Sequence, residues 1–383
     1  MFSLLTSILY AQFPHFYDDC YIQFSTTSQL ELFHRRAIAL LVLRSKMTTP
    51  LKSAAMWLRY GVDKDNTLID IEDVSSGKSR FKCPYCGGAL TAKKGEVQEH
   101  HFAHSEQTCR YVSRKSDREI PNLPLYDSFN IHLTGKELDK LKSLWDTYGF
   151  KDKGIYREDI LPAFIREDLL RYNKYLPYGG YLFTKLGKIP VRQLSLMLFN
   201  QEQEPLMLLK LQELQDKATR AYQESALNFQ ECLSDLRIYR AQFKKILSNT
   251  LYYLEIQAAD ETLYKIGVTR RPIAERVAEV QRELSSYYPT VSIKVLKTWE
   301  HRGNVEKYFK YRYRAFNYKI GSLTEYYKFE NEEDAKSTLR DLRRMKPKVL
   351  SEVEQEIWCG KLSNVERVVD EIERLRAKRR SRV

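Results

Sequence analysis

The sequence predicts a multidomain α+β protein: a small β-rich module, a long helical middle, and a C-terminal β-β-α-β-α-β domain with a helical tail. Three observations predict it. Short alternating segments bounded by turn residues fill 68–104, apolar side chains recur every three or four positions through 192–248, and strand-like and helix-like periods alternate over 250–330. At 383 residues the chain exceeds one ordinary core, so two or three domains are expected.

Residues 1–46 are aromatic-rich, with no clear periodicity. Met1 to Leu9 is apolar but lacks the positive flank and small-residue cleavage site of a signal peptide. The pattern becomes interpretable from Met47, where Leu51, Trp57 and Leu58 lead into a module. Met47 is therefore the expected native start, with a helical extension around Leu30–Leu43 as the alternative; intact-mass measurement of native protein decides between them.

The first module spans 47–115. Its expected strands are Leu68–Ile71, Phe81–Cys83, Ala89–Thr91 and His101–His104, with turns at Pro84–Gly88 and Lys93-Lys94-Gly95. So small a unit buries little apolar surface and gains from a metal staple. Cys83-Pro-Tyr-Cys86-Gly-Gly places two thiolates on a tight turn, where they can chelate one tetrahedral ion. His101 and His104 follow after fourteen residues, and Cys109 lies close behind. The six cysteines hold only this close pair, which suits a reducing cytoplasm and not a disulfide scaffold.

The string Cys-Pro-x-Cys-Gly-Gly, Lys94-Gly95, His101-Phe-Ala-His104 resembles the N-terminal zinc finger of competence protein CoiA-like proteins, over about 57–109. By that resemblance Cys83, Cys86, His101 and His104 are ligands of a structural Zn²⁺, with Cys109 a rival to one histidine; His100 is excluded because strand alternation turns it to the opposite side. The family is linked to DNA uptake.

Residues 116–191 are mixed. Helices are expected at Leu138–Trp145 and Ile160–Leu170 and a turn at Tyr178-Gly179-Gly180, with no chemistry attached. Residues 192–248 form a long helix with Pro205 as an interruption or start. Phe229, Cys232, Leu236, Tyr239, Phe243 and Ile246 make a seam, in which Leu211, Leu214 and Ala218 continue upstream across a stutter at Tyr222 and Ala226. Either a homodimeric coiled coil through 207–247 or a helix packed on its own chain fits.

From 249 to 331 the expected strands are Leu251–Ile256, Leu263–Thr269, Val291–Leu296 and Tyr326–Phe329, with helices at Ile273–Leu284 and Asn304–Phe316. The tail, 332–383, reads as helices near 332–343, 350–358 and 364–378.

Net charge is +13, and Tyr264–Ile320 alone holds thirteen Lys/Arg against five Glu and no Asp. The last ten residues add six more cations without an acid. A polyanion is the expected partner, and no apolar run approaches the ~20 residues that span a bilayer.

Within this basic stretch, Glu306 lies mid-helix, where a carboxylate can hold one Mg²⁺ or Mn²⁺. Arg276 falls one turn into the preceding helix, placed to grip a phosphate bidentately. Tyr252 on the first strand can orient or deprotonate water if cations depress its pKa from about 10. Gly267 allows close backbone approach, and Arg270, Arg271, Lys307 and Lys310 are candidate phosphate contacts.

The order Thr250-Leu251-Tyr252, Tyr264-Lys265-Ile266-Gly267-x-Thr269, Arg276, Glu306 and Glu325-Tyr326-Tyr327 resembles the GIY-YIG nuclease superfamily, nearest its phage-type DNA-binding branch. The resemblance implies a GIY-YIG-like fold and a metal-dependent endonuclease acting on DNA. Tyr252 is then the general base, Arg276 the phosphate clamp and Glu306 the metal ligand. Thr250 replaces the first glycine. Lys265 takes the aligned place of the second tyrosine, with Tyr264 one residue early and on the other strand face. The competing expectation is a DNA-binding protein without catalysis.

Overall fold

A computed structural model describes residues 58–64, 68–95, 100–106, 121–126, 129, 131–149, 153–176 and 179–380. The expectations for 1–46, for Met47 and for Cys109 lie outside them.

The N-terminal module is one antiparallel sheet of β1 (Tyr60–Val62), β2 (Leu68–Asp70), β3 (Gly77–Lys82), β4 (Ala89–Lys93) and β5 (His101–His104), ordered β2-β1-β3-β4-β5. Its core is small: Leu58, Ile71, Cys83, Leu90, Ala92 and Phe102. Strand β1 was not expected from sequence. Its central Gly61 is a poor strand former and leaves no apolar–polar alternation to read.

In the middle segment, α1 (Gly135–Tyr148) opens on a Thr134–Glu137 capping box. The expected helix over Ile160–Leu170 is only α2 (Pro162–Arg166). Leu170 begins β6 (Leu170–Tyr172), which pairs with β7 (Tyr181–Phe183) around the glycine turn.

The long helical pattern is two helices, α3 (Leu196–Gln223) and α4 (Phe229–Leu247). Pro205 lies inside α3, so it is neither start nor break. The chain reverses where Ser225 takes φ +49°. The Tyr222 and Phe229 rings meet at this turn, 5.4 Å apart, and the Tyr239 hydroxyl donates to Met207 O at 2.7 Å farther along. The helices are therefore antiparallel. Cys232, Leu236, Tyr239, Phe243 and Ile246 are buried with Met207, Leu211, Leu214 and Ala218. The seam is spent on the chain's own core, and a second copy seated along 207–247 has to displace these contacts.

The C-terminal domain is built on β8 (Thr250–Ala258), β9 (Glu261–Thr269), β10 (Val291–Trp299), β11 (Asn317–Ile320) and β12 (Leu323–Tyr327), in the order β10-β8-β9-β12-β11, with every neighbouring pair antiparallel. Strand β11 adds one strand to the expected set. The helix expected to reach Phe316 ends at Arg312 and passes into a 3-10 turn.

Because side chains alternate along a strand, the two sheet faces have separate cores. On one, Leu254, Ile256 and Leu263 meet Val280 and Leu284 of α5 (Ile273–Ser285). On the other, Leu251, Tyr253 and Ile266 meet Val305, Tyr308 and Phe309 of α6 (Val305–Arg312) and Phe199 of α3. Helices α7 (Glu332–Arg343), α8 (Glu352–Trp358) and α9 (Asn364–Arg380) complete the tail close to their expected bounds. Among the described residues, no helix is long and apolar enough to cross a membrane.

Candidate metal cluster and cationic cleft

The knuckle forms because Gly87, at φ +72°, lets the chain fold back on itself. Its amide donates to Cys83 O at 2.9 Å, and Cys83 N donates to Gly88 O at 2.8 Å. The Gly88 amide faces the Cys86 sulfur at 3.3 Å. Strand β5, paired to β4 at Leu90↔His104, delivers the imidazole.

One sulfur each from Cys83 and Cys86 and a ring nitrogen of His104 lie within 4.8 Å of one another. Cys86 Sγ and His104 Nε2 are 3.4 Å apart. Donors at ~2.3 and ~2.0 Å around a tetrahedral zinc stand about 3.5 Å apart, so the donor set and spacing fit that ion. Burial pushes the His104 imidazolium down, favouring the neutral ring a metal binds.

His101 is not in the cluster. Three positions from His104 on one strand, it belongs to the opposite face; the expected four-ligand set is thus brought together only as Cys83, Cys86 and His104. Strand alternation, applied to 101 against 104 as it was to His100, carried that signal.

The knuckle is seated on α4. The Ser234 hydroxyl donates to Pro84 O at 2.7 Å and the Tyr85 hydroxyl to Asp235 at 2.9 Å. Ten residues on, about 15 Å along the helix, Lys245 of α4 reaches an open cleft of about 600 Å³.

Among the residues lining that cleft are Tyr252, Gly267, Arg270, Arg271, Arg276, Glu306 and Glu325, together with Lys245 and Asn249. Antiparallel pairing puts Tyr252 opposite Gly267. A Cβ built on Gly267 meets the Tyr252 oxygen at 2.4 Å and Cζ at 2.7 Å, so the glycine makes room for the phenol ring.

The buried Tyr252 hydroxyl accepts a 3.1 Å hydrogen bond from Arg276 Nε. Arg276 Nη1 also donates to Glu279 at 2.7 Å and lies 3.5 Å from Glu283. Burial raises the Tyr252 phenol, and Arg276 offsets this only in part. The expected depression of its pKa is therefore not supplied by the protein alone. Glu279, shared between Arg271 and Arg276, is pulled down to about 2 by those guanidiniums.

Glu306 is mostly covered, its side chain 16% exposed, and its Oε1 lies 3.1 Å from Lys310 Nζ. The same ammonium donates to Glu325 at 2.5 Å. Lys265, buried in the central strand, reaches the other Glu325 oxygen at 3.4 Å and lies over the Tyr326 ring. Burial pulls the Lys265 ammonium down, partly opposed by Glu325.

Other expected residues go elsewhere. Tyr264 faces the opposite side of the sheet, its ring stacked on Tyr253 and edge-on to Phe329, so it packs instead of lining the cleft. Lys307 lies over the Tyr126 ring at 4.5 Å. Arg270 bonds Asp73 at 3.0 Å and Lys245 bonds Asp70 at 2.8 Å, so the first module reaches the cleft's rim. Sequence reasoning missed Lys245 and Asn249, which precede the domain's first strand, and treated Glu325 only as motif.

Compared with known protein families, residues 65–112 match the N-terminal domain of competence protein CoiA, and residues 249–373 match the T5orf172 domain. The second match runs past the sheet into the helical tail. No curated protein matches the chain, and no solved structure does.

Proposed function

We propose that this protein is a DNA-binding, Mg²⁺- or Mn²⁺-dependent endonuclease that hydrolyses phosphodiester bonds and carries a structural zinc module. One observation carries the reading: Tyr252, Gly267, Arg276 and Glu306, far apart in sequence, line a single cationic cleft. A domain of competence proteins beside a T5orf172 domain supports a DNA substrate.

In this reading Arg276 moves from Glu279 to the scissile phosphate, holding two of its oxygens. The Tyr252 oxygen, fixed by Arg276 and given room by Gly267, orients the attacking water and, as the phenolate formed once its own proton has passed to solvent through the open cleft, takes the water's proton. Lys265, buried beside the Glu325 that lines the cleft, adds positive charge to its surroundings. Glu306 already faces a cation, the Lys310 ammonium, and an oxygen donor suits a hard divalent ion. Bound there, such an ion acidifies water and neutralises developing charge.

The test is nicking of supercoiled plasmid with Mg²⁺ or Mn²⁺, beside Glu306→Ala and Tyr252→Phe. Nicking is expected to fall at least ~100-fold in both; nicking that persists in Glu306→Ala removes the enzyme reading. A second reading, DNA binding without cleavage, is favoured by the raised Tyr252 phenol and by the internal partners of Arg276 and Glu306. DNA retardation without nicking in the wild type selects it.

A further inference from the structure

From 169 to 201 the chain carries Arg171, Lys174, Lys185, Lys188 and Arg192 and not one Asp or Glu. Four tyrosines fall within this stretch at 172, 175, 178 and 181. The β6–β7 hairpin presents two of them to solvent: Tyr172 is 57% exposed and Tyr175 84%. Two aromatic rings exposed together at one hairpin tip are a surface that a stacking ligand fits.

The rings are held, not loose. Tyr172 stands edge-on to Tyr181, 5.4 Å away, and packs across Gly179, where a Cβ would meet its oxygen at 2.4 Å. Gly179 sits at φ +69°, a turn geometry that leaves this space. Tyr175 is fixed at its backbone, which donates to the Asn173 side chain at 2.9 Å, and Lys174 Nζ lies 5.1 Å from its ring centre.

Of the five cations, Lys188 lies over Trp145 and Arg192 over Tyr311, so both serve packing. Arg171 and Lys185 pair with Asp168 and Glu202 but remain 68% and 51% exposed. Such surface pairs hold weakly and exchange for a phosphate at little cost. Two exposed rings, with the Lys174 ammonium beside Tyr175, form a cationic aromatic surface, while Arg171, adjoining Tyr172 on the strand, projects from the other face of the hairpin.

We propose that this hairpin is a stacking platform for single-stranded DNA, separate from the cleft. Unpaired bases offer the π-faces that duplex stacking hides, and their backbone supplies the anions. The choice of DNA rests on the reading of the cleft; the choice of a single strand rests on the rings.

The test uses the full chain and fluorescence anisotropy, with a labelled thymidine oligonucleotide of about 15 nucleotides. The double variant Tyr172→Ala/Tyr175→Ala is expected to bind at least about tenfold more weakly. Tyr172→Phe/Tyr175→Phe, which keeps both rings, is expected to stay within about twofold of wild type. Alanine variants that bind like wild type overturn the proposal, as does a phenylalanine pair that loses as much as the alanine pair. Photocross-linking of wild-type protein to an iodouracil-bearing strand is expected to label residues 170–183, and labelling confined elsewhere overturns it without any variant. Tighter binding of a ribouridine oligonucleotide overturns the choice of DNA. Plasmid nicking is read separately, so cleft and hairpin can fail independently.

Discussion

The knuckle and the cleft sit at opposite ends of α4 and treat charge in opposite ways. At the knuckle, lone-pair donors from Cys83, Cys86 and His104 converge within 4.8 Å, an arrangement that gains by taking up a cation. In the cleft, each charged side chain already has an internal partner. Glu279 holds Arg271 and Arg276, Asp73 holds Arg270, Asp70 holds Lys245, and Glu306 with Glu325 holds Lys310. Under the proposed function a phosphate or metal bound there competes with an existing ion pair, so the cleft's affinity would follow the strength of its internal pairs, whereas the knuckle's would follow its donor geometry.

The largest expected effect comes from breaking the knuckle. Removal of one thiolate by Cys83→Ser is expected to cost about one zinc per chain by metal analysis and to unfold the module, since ~10 kcal/mol or more of metal binding supports so small a core. Equal metal content in wild type and variant removes the zinc site. Because Pro84 and Tyr85 are hydrogen-bonded to Ser234 and Asp235, the same variant is expected to raise hydrogen exchange in the first turns of α4.

Next in size is Asp70, buried at the rim and bonded by Arg59 at 3.1 Å, Lys245 at 2.8 Å and the Glu72 amide at 3.0 Å. Burial raises its carboxyl, but Arg59, the Glu72 amide and Lys245 outweigh this and hold it below the usual carboxylate range. A depressed folded pKa means the unfolded chain binds the proton more readily. The stabilisation is thus present above the ordinary value near 4 and lost as pH falls through the lower folded value. Asp70→Ala is expected to cost about 2–3 kcal/mol at neutral pH, discounted for the half-exposed partners, and to flatten the acid limb of a stability–pH curve. An unchanged acid limb sinks this account.

These two regions also differ in how far the sequence disclosed them. The knuckle's ligands lie within 22 residues and announce themselves by spacing, except that His101 needed the strand's two-residue period to be set aside from the cluster. The strands β8 and β9 and the three tail helices were legible because each is long enough to show its period. Strands β1, β6, β7 and β11, of three or four residues, were not, although the equally short β2 and β5 were. The reversal between α3 and α4 hid because neither glycine nor proline marks it, Ser225 taking the positive φ instead. Least legible were the partners of the cleft's cations. Asp73 lies 197 residues from Arg270, and no local pattern records such a pairing.

A smaller effect separates geometry from charge in the cleft. Gly267→Ala adds a single Cβ that collides with the Tyr252 ring and alters no charge. Overpacking of this kind is expected to cost about 1–3 kcal/mol and to shift the phenol off Arg276. Gly267→Ala/Tyr252→Leu, which removes the obstructing ring, is expected to regain most of the stability and none of the nicking. If the double variant is no more stable than Gly267→Ala, the glycine's role is not to house that ring.

The smallest expected effect is the sharpest test of the exchange idea. Asp73 occupies Arg270 at 3.0 Å, with both side chains about half exposed. The pair therefore adds little to stability, on the order of 0.5 kcal/mol, and Asp73→Asn is expected to leave thermal unfolding almost unchanged. If bound phosphate has to displace Asp73, the variant binds duplex DNA a few-fold more tightly at low salt. Its gain has a second signature. A guanidinium released from an internal carboxylate displaces one more condensed cation from the DNA, so the dependence of log K on log salt steepens by up to about one. Tighter binding at an unchanged slope implies that Asp73 acts by shape alone. Unchanged affinity and slope together mean that the rim pairs are fixed struts, and that the cleft receives DNA without exchanging them.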